Sequence, residues 1–201
     1  MLPFDLREMV LRTLLAPREV ARELIAWNPP NDARWIGLVL VGVVSVILGT
    51  IGEGMMTMLS RGKIPFENMA FLLGPLQIAI PLVIAFQMAF MGRRFGGQGS
   101  FRDALLLTVW MQGVLTILQA VQVVVMVFFP MTAMFALTAI TIGLLIYLLV
   151  NFTAALHGFE NLAATAMGVL LTGFFTVLLT ALIVTNILVS LGLVPPEMMQ
   201  P

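Results

Sequence analysis

The chain has 201 residues, room for one domain, yet 60% of them are apolar, only 10% are charged, and mean hydropathy is +1.06. A soluble domain is about 45–50% apolar and about 25% charged, so a water-soluble globule is excluded. Ten basic residues balance ten acidic ones, which leaves no positive surplus for a nucleic-acid partner, and the absence of Cys excludes disulfides, Cys-bound zinc, iron–sulfur clusters and thiol catalysis within the chain.

The composition describes an all-α polytopic membrane protein: five crossing helices preceded by one or two short amphipathic interfacial helices. Residues 1–34 form the front end. Leu6, Val10 and Leu14 recur every four residues with Met9 beside them, and Asp5, Arg7, Glu8 and Arg12 fill the other side. Pro17 suits the first position of a second short helix, where its missing N–H does no harm. There Val20, Leu24 and Trp27 line one face, and Arg18, Glu19, Arg22 and Glu23 the other, before Asn28-Pro29-Pro30-Asn31-Asp32 ends it. Such helices lie in the membrane interface with their apolar sides inward, and serve as a packing collar for the bundle or as a docking element.

A crossing helix needs about 20 mostly apolar residues to cover about 30 Å of hydrocarbon. Five stretches within 35–194 qualify: 35–59, 69–92, 104–129, 131–156 and 162–194. The last is 33 residues long, so it must tilt or begin as an interfacial turn. Pro130 makes a tight hairpin of spans three and four. Gly96-Gly97-Gln98-Gly99-Ser100 separates two from three, and His157-Gly158-Phe159-Glu160-Asn161 separates four from five. Pro75 and Pro81 predict a kink or a break in span two. Strands are excluded because an open sheet edge has no partner in lipid and the apolar runs far exceed a barrel strand.

Orientation follows from Lys and Arg. The front end and the two loops on its side carry eight, including Arg93, Arg94 and Arg102; the opposite side carries Arg61 and Lys63. The N-terminus is therefore expected in the cytoplasm, and five crossings put the tail 195–201 outside. No cleavable signal peptide is expected, with span one acting as the uncleaved insertion signal.

Lipid tails do not drive helices together, so small residues mark their contacts. Gly42, Ser45, Gly49 and Gly52 form a stripe on span one. Ala133, Ala136 and Gly143 on span four, and Gly168, Thr172, Thr176 and Thr180 on span five, repeat the pattern. Gln112, Gln119 and Gln122 fall in one sector of span three at about 100° per residue. Gln77, Gln87, Asn151 and Asn186 are the other intramembrane amides. Amides in lipid must find partners, so these hydrogen-bond across helices or line a solute path.

The chemical inventory is thin. Ala104–Leu156 and Asn161–Pro196 carry no charge, and His157 is the sole histidine. No catalytic residue, metal ligand or cofactor site is expected: H-E-x-x-H, G-x-S-x-G and the phosphate-binding P-loop are all missing. Arg93 and Arg94 beside Gly96-Gly97 are topology determinants that could also meet a lipid headgroup. His157 and Glu160, close in one turn, are expected to bond each other or cap a helix. Arg18, Arg22, Arg93, Arg94, Arg102, His157 and Glu160 are thus the candidates for lipid or partner contact. The expected partners are the lipid bilayer and either another membrane protein or a second copy of the chain.

Several short motifs then carry a resemblance: Pro17-Arg18-Glu19 in a cytoplasmic helix, Gly96 through Ala104 between spans two and three, Leu107-Thr108-Val109-Trp110 opening span three, and Leu156-His157-Gly158 before the last span. Together with five crossings they resemble bacterial members of the Yip1 family over nearly the whole chain. The resemblance implies a non-enzymatic integral membrane protein with a cytoplasmic N-terminus, and a bacterial inner-membrane location. Eukaryotic relatives are associated with Rab-type GTPases and vesicle traffic. They carry a longer cytosolic N-terminal region than the 34 residues here, so GTPase binding is not carried over. The resemblance leaves a scaffold, accessory or regulatory partner as the first reading and a transporter or channel for a small neutral or lipid-like solute as the alternative.

Overall fold

A computed structural model describes residues 5–59, 74–129 and 132–190. Among them seven α-helices follow one another: α1 (Leu6–Leu15), α2 (Pro17–Trp27), α3 (Asn31–Leu59), α4 (Gly74–Arg94), α5 (Phe101–Phe128), α6 (Thr132–His157) and α7 (Leu162–Ser190). Five of these, α3 to α7, are long and apolar enough to cross a membrane. The loop with Arg61 and Lys63, the start of span two at residues 69–73, Pro130 and residues 191–201 lie outside the described residues.

The helices begin and end where local chemistry dictates. Asp5 accepts from Arg7 N at the start of α1, and Pro17 opens α2 at its first position. Asn28 ends α2 in the left-handed region (φ 44°). Pro75 sits in the first turn of α4, where no N–H is needed. The helix then runs unbroken through Pro81 to Arg94, so of the kink or break expected in span two the break is not there. At 29 residues α7 is about 44 Å long, more than the hydrocarbon needs, so it tilts or projects.

α5 is the central helix, packed against α3, α4, α6 and α2, while α7 packs chiefly on α6. The densest core lies at the end of the bundle where α1 and α2 sit. Met9, Val20, Leu24, Leu38, Leu107 and Phe152 are buried there in one cluster. Elsewhere large apolar side chains face outward along α3 to α7, and no residue in the most apolar stretch of α7 is buried. Such a surface needs hydrocarbon as its solvent.

The front end docks on this core as a collar. In α1 the buried seam is Met9 and Thr13, not the Leu6/Val10/Leu14 face suggested by hydropathy; Leu6 and Leu14 remain 52% and 41% exposed. The seam is rotated because Thr13 is polar only in name. Its hydroxyl donates to Met9 O at 2.7 Å and accepts from Trp110 Nε1 at 2.9 Å, tying α1 to α5. Tyr147 Oη donates to Leu14 O (3.3 Å), and the Arg12 guanidinium pairs with Glu23 across α1 and α2.

Small residues matter unequally. On α3, Gly42, Ser45 and Gly52 are buried and Gly49 is half-buried. A Cβ at Gly42 would stand 2.7 Å from Ile78 Cγ1, so only glycine admits α4 this closely. Ser45 Oγ and Thr116 Oγ1 share a hydrogen bond of 2.8 Å into α5. By contrast Ala136 is exposed, and a Cβ at Gly143 or Gly168 would meet nothing within 4 Å. At Ala136, Gly143 and Gly168 the stripes expected on spans four and five therefore form no close helix contact. Ala133's side chain lies outside the described set.

The amides divide in the same way. Gln119 Nε2 donates to Ser45 O (3.0 Å) and Gln122 Nε2 to Thr141 Oγ1 (2.7 Å), joining α5 to α3 and α6. Thr176 Oγ1 donates to Gln87 Oε1 (3.0 Å), joining α7 to α4. Asn151 and Asn186 donate to carbonyls within their own helices. Gln112's side chain makes no hydrogen bond among the described residues, and only its backbone carbonyl accepts from Thr116. Gln119→Leu is therefore expected to lower stability in detergent by about 0.6–2 kcal/mol. Gln112→Leu, by the same unfolding measurement, stays within about 0.5 kcal/mol of the parent.

Candidate functional site

The ionisable and loop residues converge at one end of the bundle, where α4 ends, α5 begins and α6 turns into α7. Two helix stops build this junction. Gly96 takes φ +86°, with Gly97 N donating to Gly92 O (2.9 Å) and Gly96 N to Arg93 O (3.1 Å). Gly158 takes φ +72°, with Phe159 N donating to Ala154 O (2.9 Å). Both are Schellman stops, which require a residue that tolerates positive φ. The outgoing helices are capped in turn. Ser100 Oγ accepts from Asp103 N (3.1 Å), and Asn161 Oδ1 accepts from Ala164 N (3.0 Å).

His157 is buried between these stops. Gly99 N donates to its Nδ1 (3.0 Å), and its Nε2 lies 2.8 Å from Met88 O. An amide N–H only donates and a carbonyl only accepts, so the ring is the neutral tautomer with hydrogen on Nε2. The expected bond to Glu160 does not exist: Glu160 is exposed, and Phe159 stacks on the imidazole instead at 5.3 Å between centroids. The partners of His157 come from 58 and 69 residues away, out of reach of any local reading.

Three glycines wall the ring. A Cβ on Gly92 would stand 2.0 Å from His157 Nε2, one on Gly97 2.2 Å from Nδ1, and one on Gly99 2.5 Å from Leu156 Cγ. The glycines of the α4–α5 loop thus have two tasks. Gly96 supplies backbone freedom, whereas Gly92, Gly97 and Gly99 supply space.

The arginines frame this knot. Arg18 Nη2 on α2 donates to Phe159 O (2.7 Å). Arg102 Nε donates to Asn31 Oδ1 (2.9 Å). Arg93 Nε turns back to Ala89 O (3.2 Å), and the Arg94 guanidinium lies 5.0 Å from the centroid of the Phe90 ring. Arg22 is exposed and makes no hydrogen bond or ion pair among the described residues. The structure thus brings Arg18, His157 and the glycine loop together and leaves Arg22 outside.

Arg34, one of the front-end arginines, is the largest fully buried side chain among the described residues, at 1% exposure. Its Nη2 donates to Asn28 Oδ1 (2.9 Å) and lies 3.7 Å from Asp103 Oδ1. One buried cation thereby joins the α2–α3 turn to the start of α5. The signal available in the sequence was Asn28, six residues earlier; Asp103 is 69 residues away.

Between α4, α6 and α7, directly beside the knot, lies a half-open cavity of about 470 Å³. No cluster of three or more His, Cys, Asp or Glu suited to a metal is found among the described residues.

Five membrane-length helices, an amphipathic collar and this glycine–histidine junction define a multi-pass helical membrane protein. The chain matches the Yip1 domain over residues 11–184 and belongs to that family. No curated protein and no solved structure matches it.

Gly97→Ala is expected to cost about 1–3 kcal/mol by overpacking against His157. Adding His157→Ala removes the obstruction, so the double variant should be more stable than the sum of the two losses by about 1 kcal/mol or more. Thermal unfolding of the four proteins in one detergent measures both quantities. Additive losses would show that the glycine and the ring are not in contact.

Proposed function

We propose that this protein is a non-enzymatic scaffold or accessory subunit that holds or regulates other components of a bacterial inner membrane. The observation that carries this reading is the use made of its reactive groups. Both ring nitrogens of His157 are committed to backbone partners, and Arg18, Arg34 and Arg102 each hold a carbonyl or amide oxygen of another segment. These groups join helices and do not converge on a reactive centre. Gln119 and Gln122 likewise use an amide hydrogen each in bonds between helices, which weighs against the solute-path reading.

Contact with a partner falls to what the fold leaves open. Arg22 and Glu19 on the outer face of α2 are exposed, as are Arg93 and Arg94 at the end of α4. A rigid collar presenting such a face at the membrane surface suits a second copy of the chain or another membrane protein. A photo-crosslinking residue at Arg22, activated in intact membranes, should give one adduct of defined mass, and mild-detergent purification should return the same complex in stoichiometric amount. A clean monomer in both would overturn the reading.

In this reading the collar and the knot face the cytoplasm, since the arginines gather at that end. Reporters fused to the two termini should then report a cytoplasmic N-terminus and an external C-terminus. Both reporters in one compartment would refute five crossings.

A further inference from the structure

The apolar face of α1 that hydropathy suggests is not used by the bundle. Met9 and Thr13 point at α5, where Trp110 meets Thr13, and Arg12 points at α2, where Glu23 meets it. At about 100° per residue, the centre of the Leu6/Val10/Leu14 face lies about 80° from the Met9/Thr13 seam and about 160° from Arg12. The face is therefore turned away from α2, and Glu8 and Arg12 share the opposite side. Leu6 and Leu14 are exposed, and Val10 is half-buried.

Two hydrogen bonds fix the level at which this face sits. α3 and α5 run in the same direction, with Gly37 against Val109, Ser45 against Thr116 and Gly52 against Val123. Trp110, which donates to Thr13, is therefore level with Leu38. The exposed apolar side chains of α3 begin at Trp35 and Ile36 and continue through Val39 and Leu40. Thr13 thus lies about 5 Å inside the first of them. On α6 the exposed large apolar side chains end at Tyr147, whose hydroxyl donates to Leu14 O. Both neighbours place α1 just inside the edge of the surface that hydrocarbon covers. α2 stands farther out: Arg18 holds Phe159 O beyond the end of α6, about 15 Å past Tyr147. An apolar face that continues the lipid-facing surface at its edge, and is turned away from the polar tier, meets the same solvent. Arg7, beside it, has a stem long enough to return its guanidinium to the headgroups.

We infer that the Leu6/Val10/Leu14 face of α1 is a lipid-docking surface, seated among the acyl chains of the leaflet at the knot end. The collar then has two tiers: α2 is held by the bundle alone, and α1 is held between the bundle and the bilayer. This goes beyond the scaffold reading and does not depend on it, because the occupant is lipid and not a partner protein.

The chain has no Cys, so one introduced Cys carries one spin label. Leu6→Cys, Leu14→Cys and Glu8→Cys are labelled in the full chain, reconstituted in vesicles of phosphatidylethanolamine and phosphatidylglycerol, and compared by power-saturation EPR. Labels at 6 and 14 should collide more with oxygen than with a water-soluble nickel chelate, at about 5–10 Å below the phosphates. The label at 8 should do the reverse. Equal access of nickel to all three would overturn lipid contact, and spin–spin broadening at 14 would put a second copy of the chain on the face instead. A second measurement needs no label. Leu6→Gln with Leu14→Gln keeps the Met9/Thr13 seam and the Arg12–Glu23 pair, and glutamine is nearly as good a helix former as leucine. Amide hydrogen exchange across α1 in the same vesicles should rise about tenfold or more, because two leucines lose their apolar surroundings. Unchanged exchange would show that the bundle alone seats α1 and would overturn the proposal.

Discussion

A hydrogen-bonding group carried into hydrocarbon has no water to fall back on. That constraint orders most of what is seen in this bundle. The hydrogen-bonded polar side chains in the spans meet it in one of two ways. Thr50, Thr153, Thr165 and Asn186 bond a carbonyl four residues earlier in their own helix and so become apolar to everything around them. A smaller group reaches across: Ser45 with Thr116, Gln119 with Ser45, Gln122 with Thr141, and Thr176 with Gln87. Three of those four contacts involve α5, the most extensively packed helix. Hydrogen bonds between helices therefore add directionality at the place where packing is already closest, because a carbonyl or hydroxyl must be within about 3 Å to be used.

The two ends of the bundle are built differently. At the knot, glycines remove Cβ atoms so that an imidazole can sit against backbone, and the collar closes over it with Met9, Val20 and Leu24. At the far end fewer side chains are buried among the described residues. α7 shares this gradient along its length: Thr165, near the knot, is buried, and the apolar stretch beyond is not. The cavity lies where the tightly packed region gives way to the loosely held helix.

The number of membrane-length helices was legible because a bilayer imposes a length and a polarity that no soluble fold imposes, and charge-free runs such as Ala104–Leu156 register that directly. The turns were legible too, since Gly96, Gly158 and Asn161 occupy positions where only a few residue types serve. What stayed hidden is what depends on distant partners. Thr13 reads as polar until Trp110 and Met9 O satisfy it. Arg34 reads as a surface charge until Asn28 and Asp103 enclose it. His157 reads as a turn residue with an acidic neighbour, and its real partners, Gly99 and Met88 O, belong to other helices. The stripe around Gly42 was visible, but nothing in the sequence separates it from the equally regular spacing around Gly168, which faces open space.

The collar has a consequence for how the chain is made. Leu14 waits for Tyr147, and Arg18 for the carbonyl of Phe159, 141 positions later. The collar leaves the ribosome long before its partners and is thus among the last segments to be seated. Through the insertion of four spans its apolar seam must rest on the membrane surface or in the care of a chaperone. The collar completes an assembly that forms without it.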